Sequence, residues 1–153
     1  MARVIELVND IALSHAPNAV GAVGHIEIYP SSRNVIPGKV VFTVDLRSPD
    51  LVILLDMVAR TIKGAREICE EMGCDIAFES VGGYDPVTFD DTCVNAVRRA
   101  AERLGYSHRD MVSGAGHDAC WSNRVAPTSM GFCPCVDGLS HNEAEEITPA
   151  WAA

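Results

Sequence analysis

The chain has 153 residues, 48% hydrophobic and 22% charged, which fits one ordinary globular domain or two small ones with a sizeable core. A net charge of −9 and a pI near 4.9 argue against a nucleic-acid or anionic-membrane surface. No apolar run approaches the roughly 20 residues a membrane span needs, and Glu6 and Asp10 interrupt the first apolar stretch, so there is no signal-peptide pattern and a cytoplasmic location is expected.

Residues 2–14 place Val4, Ile5, Leu7, Val8, Ile11 and Ala12 at helical spacing. The segment reads as an amphipathic helix without a capping side chain before it, ended by His15-Ala16-Pro17-Asn18. Two strand-like runs follow. Ala19–Tyr29 carries Val20, Val23, Ile26 and Ile28, and 39–46 sets Val40, Phe42, Val44 and Leu46 against Lys39, Val41, Thr43 and Asp45, the alternation of a half-buried strand. A polar segment with a Pro37-Gly38 turn joins them. Asp50 caps a helix reaching about Met72, with Leu51, Leu54, Leu55, Val58, Ile62 and Ile68 as apolar positions and Gly73 as its stop. Cys74–Ser80 alternates Ile76 and Phe78 and reads as a third strand. Helix, strand, strand, helix, strand specifies an α+β layer with antiparallel pairing.

Gly82-Gly83-Tyr84-Asp85-Pro86 marks a boundary. Beyond it, Asp90 or Asp91 caps a helix with Val94, Val97, Ala100, Ala101 and Leu104 as its stripe and Gly105 at its end. Residues 107–145 are rich in Gly, Ser, His, Asp and Cys, with one short buried strand expected at Thr128–Phe132 between two polar loops. Such loops carry function more often than scaffold. The six cysteines, Cys69, Cys74, Cys93, Cys120, Cys133 and Cys135, form no C-x-x-C pair and are expected to be reduced, partly buried thiols. Cys133-Pro134-Cys135 has a metal-binding alternative, with a gap atypical of structural zinc.

Three constellations bear chemistry. Asn34 lies in the loop between the first two strands and Arg47 at the end of the second. An Arg there grips a carboxylate bidentately beside an amide donor, or is a surface residue paired with Asp45 or Asp50. Its alternation puts Arg47 on the face of Asp45 and Thr43, away from the core, with a guanidinium free to meet a partner. Ser113-Gly114-Ala115-Gly116-His117-Asp118-Ala119 is either a loop whose amides hold an anion or a Gly-rich turn leading to a capped helix. It is neither a dinucleotide fingerprint nor a nucleophile elbow. Asp137 to Glu145 contains His141 with acidic neighbours, a metal-ligand setting or a solvated loop entering a helix. The histidines His15, His25, His108, His117 and His141 form no close pair such as H-x-x-x-H, while a catalytic zinc needs about three protein ligands. The chain alone does not spell a complete metal site.

As an ordered set these segments resemble one family. Val23 to Gly38 followed by Phe42 to Arg47 looks like the lid, or dimerisation, domain of N-carbamoyl-L-amino-acid and allantoate amidohydrolases. Ser113 to Ala119, Pro127 to Phe132 and Asp137 to Glu145 look like the closing part of the same enzymes' catalytic domain, within the wider superfamily of zinc aminoacylases and carboxypeptidases. The resemblance implies a lid over residues 1–84, lacking its first strand, and the C-terminal piece of an α/β zinc-hydrolase domain over 85–153, with both ends cut. It implies a hydrolase that cleaves the ureido C–N bond of a small substrate by a metal-bound water, using two ions of Zn2+ or Mn2+, and that forms a homodimer through the lid. It makes His141 a metal ligand, gives Asn34 and Arg47 the substrate's carboxylate and amide, and gives Gly114, Ala115, Gly116 and His117 a part in cradling the substrate. No catalytic residue lies in this chain: the general base and the remaining ligands are expected upstream, so the chain alone is expected to be inactive. A zinc aminopeptidase or aminoacylase of the same superfamily, or a non-catalytic dimerisation module, is the alternative.

Overall fold

The computed structural model describes residues 1–152. They form an α+β arrangement of helices and small antiparallel sheets, divided into two compact units, one of residues 1–87 with 111–116 and the other of 88–110 with those from 117 onward.

The first unit opens with helix α1, Ala2–Leu13, preceded by Met1 without a side-chain cap. Its Val4, Val8, Ile11 and Ala12 are buried, as the 3.6-residue spacing requires. The expected hairpin forms in two pieces. Strand β1, Val20–Ala22, pairs antiparallel with β4, Asp45–Arg47, and β2, Ile26–Tyr29, pairs with β3, Lys39–Phe42. The two long strand runs of the sequence are each interrupted, at residues 23–25 and 43–44, although Val40, Phe42, Val44 and Leu46 remain half-buried and the residues between them exposed across the break. Helix α2, Leu51–Met72, begins at Asp50, whose Oδ1 accepts from Val52 N at 2.7 Å and Ile53 N at 3.3 Å, and stops at Gly73 in the left-handed region at φ 64°.

Ile11, Ala12, Ala19 and Met57 form the core, with Leu7, Leu46 and Ile53 packed around them. The buried face of α2 differs from the expected stripe. Met57, Thr61 and Ala65 are buried, while Leu51, Leu55 and Val58 are exposed. Small residues explain the shift: α1 approaches α2 so closely that a Cβ on Gly64 would lie 2.7 Å from Leu7 Cδ2, and close approach selects the side of α2 that carries Thr61, Gly64 and Ala65 over the bulkier one.

Two further expectations fail. Cys74–Ser80 is not a strand, because among the described residues no neighbouring strand offers it a ladder; Phe78 instead lies under the Arg66 guanidinium, 5.4 Å from ring centroid to Cζ. Thr128–Phe132 is likewise not a strand, and Phe132 is exposed. The Thr128 carbonyl accepts from Asp90 N at 3.1 Å, and its hydroxyl donates to the Ala126 carbonyl at 2.9 Å.

In the second unit, α3, Asp91–Leu104, is capped by Asp90 through Cys93 N and stopped by Gly105 at φ 71°. Its apolar stripe lacks a cover among the described residues: Val97 and Leu104 are exposed and Val94 and Ala101 only half-buried. Short helices α4, Asp118–Ser122, and α5, Pro149–Ala152, and a 3₁₀ turn at Val136–Gly138 complete the unit. All six cysteines are free, four of them half-buried, and no described helix is long and apolar enough to cross a membrane.

Candidate substrate-binding residues

Arg47 ends β4 on the exposed face with Asp45, where its alternation placed it. Its guanidinium is not free, however. Nε lies 3.1 Å from both carboxylate oxygens of Asp45, Nη2 donates to Asp45 Oδ2 at 2.5 Å, and Nη1 donates to the Gly114 carbonyl at 2.7 Å. The surface pair with Asp45 is present, and a second nitrogen of the same guanidinium reaches the Gly-rich loop. Hydrogen bonding to Asp45 holds the Arg47 guanidinium above its ordinary range, against the opposing effect of its partial burial. The bond from Arg47 in turn holds the Asp45 carboxyl below the usual aspartate range.

Asn34 sits in the exposed turn between β2 and β3, its Oδ1 accepting from the Ser32 hydroxyl at 2.9 Å. Among the described residues no hydrogen bond joins it to Arg47. With its oxygen occupied, its amide nitrogen keeps two donors for a further acceptor.

In the loop, the Ser113 hydroxyl bridges the amide and the carbonyl of Ala115, each at 3.2 Å. One of the amides expected to face an anion is therefore used internally, which leaves those of Gly114 and Gly116. Gly116 is confined by Tyr84: a Cβ there would stand 2.1 Å from the phenol oxygen. Tyr84 appears in the sequence only as part of a Gly-rich boundary, and nothing in its spacing marks it as a neighbour of this loop.

His117 belongs to the second unit. It is the cap of α4, its Nδ1 accepting from Ala119 N at 3.1 Å, so the capped-turn reading of this segment holds. A neutral ring that accepts at Nδ1 carries its proton on Nε2 as a donor.

His141 adopts φ 54°, a left-handed conformation uncommon for a non-glycine residue. The loop around it is closed on itself. Glu145 Oε2 accepts from the His141 backbone amide at 2.9 Å, Asn142 Oδ1 accepts from Ala144 N at 2.9 Å, and the Glu146 carbonyl accepts from Val136 N at 2.8 Å. Glu145 therefore fixes the backbone of His141 and not its ring. Among the described residues no group of three or more His, Cys, Asp or Glu comes together as a metal site. His141 is one exposed donor, and the residues present do not by themselves fit a catalytic ion.

Comparison with known proteins matches this arrangement to a family. Residues 4–153 match the model of peptidase family M20/M25/M40. The chain is 59% identical over 153 residues to a Rhizobium meliloti protein named N-carbamoyl-L-amino-acid amidohydrolase, covering all of this chain and 37% of that protein. It is 38% identical over 122 residues to the Escherichia coli allantoate amidohydrolase, covering 80% of this chain and 30% of that one. Among solved structures, an amidase of the hydantoinase/carbamoylase family from Burkholderia multivorans superposes with a TM-score of 0.93 at 56% identity, covering 98% of this chain and 36% of that chain. The chain thus spans about a third of each of these proteins, and by its match over nearly all its length it belongs to the M20/M25/M40 peptidase family.

Proposed function

We propose that this chain is part of an amidohydrolase that cleaves the ureido C–N bond of an N-carbamoyl amino acid or of allantoate. In this reading residues 1–84 form the lid, through which two copies dimerise, and residues 85–153 the closing part of the catalytic domain. The observation that carries it is Arg47. It has five N–H donors; Asp45 takes Nε and one on Nη2, and the Gly114 carbonyl takes one on Nη1. One donor on each terminal nitrogen remains for an incoming carboxylate. The relatives' names supply the ureido group, and a carboxylate end is what in their substrates suits these donors. Asn34 and the Nε2–H of His117 are the further donors this reading assigns to the substrate, and Gly114, Ala115 and Gly116 the backbone beside it.

The family consists of metal-dependent hydrolases, and this reading includes two ions of zinc or manganese with His141 as one ligand. The donors needed beyond His141 are not brought together among the described residues. What the chain's own residues do is bind and orient: holding the carboxylate end fixes the distance of the ureido carbonyl from the reacting groups. That same lack of a donor cluster favours a second reading for the chain by itself, a module that binds and dimerises without catalysis.

The test uses a polypeptide extended to the length of the curated relatives. Ammonia release from N-carbamoyl-L-amino acids and allantoate is expected. Arg47→Ala lowers catalytic efficiency roughly tenfold to a hundredfold, the worth of a charge-assisted hydrogen bond, and Arg47→Lys less, since a lysine keeps the charge and loses the fork. Near-normal efficiency in Arg47→Ala, or a loss that only tracks melting temperature, refutes the carboxylate role.

A further inference from the structure

Two observations converge on Tyr84, which shares a unit with Arg47 and with residues 111–116. A Cβ built on Gly116 would stand 2.1 Å from the Tyr84 phenol oxygen and 3.3 Å from its Cζ. The hydroxyl therefore fills the space that any other residue at 116 would need. Two positions earlier in the same loop, the Gly114 carbonyl accepts from Arg47 Nη1 at 2.7 Å. Tyr84 thus seats one end of a four-residue loop whose other end orients the guanidinium, while the Ser113 hydroxyl, bonded to both the amide and the carbonyl of Ala115, stiffens the turn between them.

We propose that Tyr84 is a positioning residue for Arg47: its hydroxyl, seated against Gly116, sets the 113–116 loop so that the Gly114 carbonyl and Asp45 together fix which two guanidinium N–H groups face an incoming carboxylate. The inference rests on the reading of Arg47 as the carboxylate holder and deepens it. Asp45 alone pins one edge of the guanidinium and leaves the side chain to pivot about that edge. The Gly114 carbonyl is a second point of attachment on a different nitrogen, and two points define the plane of the fork. Holding that plane before the ligand arrives removes a side-chain ordering cost from binding.

The experiment needs no substrate, so its failure is separable from failure of the amidohydrolase reading. The side-chain Nε–Hε signal of Arg47 is observed by NMR on the 153-residue chain and assigned by its disappearance in Arg47→Lys. In the unsubstituted chain it is expected to exchange slowly with water. Tyr84→Phe and Gly116→Ala are each expected to speed that exchange, by no more than the roughly tenfold to hundredfold that corresponds to loss of one hydrogen bond to a charged group, with backbone amide signals away from 84 and 113–116 unchanged. Gly116→Ala made in the Tyr84→Phe background is expected to add little, because the atom it would strike is gone. The proposal is overturned if the Arg47 signal exchanges rapidly in the unsubstituted chain, if it is unmoved in Tyr84→Phe, or if the two substitutions act additively. Unfolding of Tyr84→Phe also overturns it, assigning Tyr84 to stability instead.

Discussion

The Asp45–Arg47 pair shows how much a single alternating strand can say. The period of two put both side chains on the solvent face, and two residues apart on one face they were bound to meet. What no pattern of spacing indicated was the third member, the Gly114 carbonyl 67 residues later in the chain. Because Asp45 sits below the ordinary aspartate range chiefly through its bond from Arg47, the pair's contribution is fully present above about pH 3.9, the ordinary aspartate value. It is lost as the pH falls from there through the lowered folded value. With the Asp45 side chain 51% exposed, that contribution is at most about 1 kcal/mol. Asp45→Asn should therefore lower stability at neutral pH by at most about 1 kcal/mol and flatten the acid limb of a stability-against-pH curve below about pH 4, as measured by urea unfolding. Thr61 offers a prediction of opposite sign. It is the one buried polar residue among those described, and its hydroxyl has no hydrogen-bond partner. Thr61→Val keeps the shape and removes the unsatisfied group, so it should stabilise the chain by roughly 1–3 kcal/mol, read as a higher urea midpoint at unchanged slope.

At the scale of elements, the helices were legible and the strands less so. Asp50 with Gly73, and Asp90 with Gly105, bracket α2 and α3 within a residue of where the caps place them, because a cap is a local bond between a side chain and the next turn. A strand is not local. Cys74–Ser80 has an alternating sequence, but a ladder needs a neighbour, and among the described residues none lies alongside. The buried face of α2 was misread for a related reason. Of the expected stripe Leu54, Ile62 and Ile68 are half-buried and Leu51, Leu55 and Val58 exposed, while the packing distance to α1 favoured the small residues Thr61, Gly64 and Ala65. That contact gives a graded prediction. Gly64→Ala should be close to neutral, the gain in helix propensity of about 1 kcal/mol offsetting a shift of the Leu7 side-chain end. Gly64→Leu should destabilise by roughly 1–3 kcal/mol through overpacking, with thermal unfolding separating the two. Met57→Ala, at a side chain wholly removed from solvent, should cost about 2–5 kcal/mol.

At the scale of the whole molecule, the family was legible from the order of its motifs and the reaction was not. Asn34, Arg47 and residues 114–116 lie in one unit, and His117 and His141 in the other. His141 in particular gave no sign in the sequence that its backbone would be left-handed and tied to Glu145. The chain by itself is accordingly expected to hold no stoichiometric zinc at sub-micromolar affinity and to release no ammonia from N-carbamoyl amino acids. Metal analysis after equilibrium dialysis, run alongside the ammonia assay, checks both. Stoichiometric tight zinc together with turnover would show that the donors assemble without further chain.

The division of the first unit between residues 1–87 and 111–116 bears on how this protein can be dissected. Gly82 and Gly83, in an exposed irregular stretch, are where a protease is expected to nick and where a gene would naturally be shortened. A product ending there keeps α1, α2 and both strand pairs, so it should retain the core around Ile11 and Met57. It loses Tyr84 and the 113–116 loop, and with them every hydrogen bond of Arg47 except those to Asp45. A shortened first unit would thus pass tests of folding while carrying an altered guanidinium. The short strip that completes it would have to be returned by a linker or supplied in trans as a peptide.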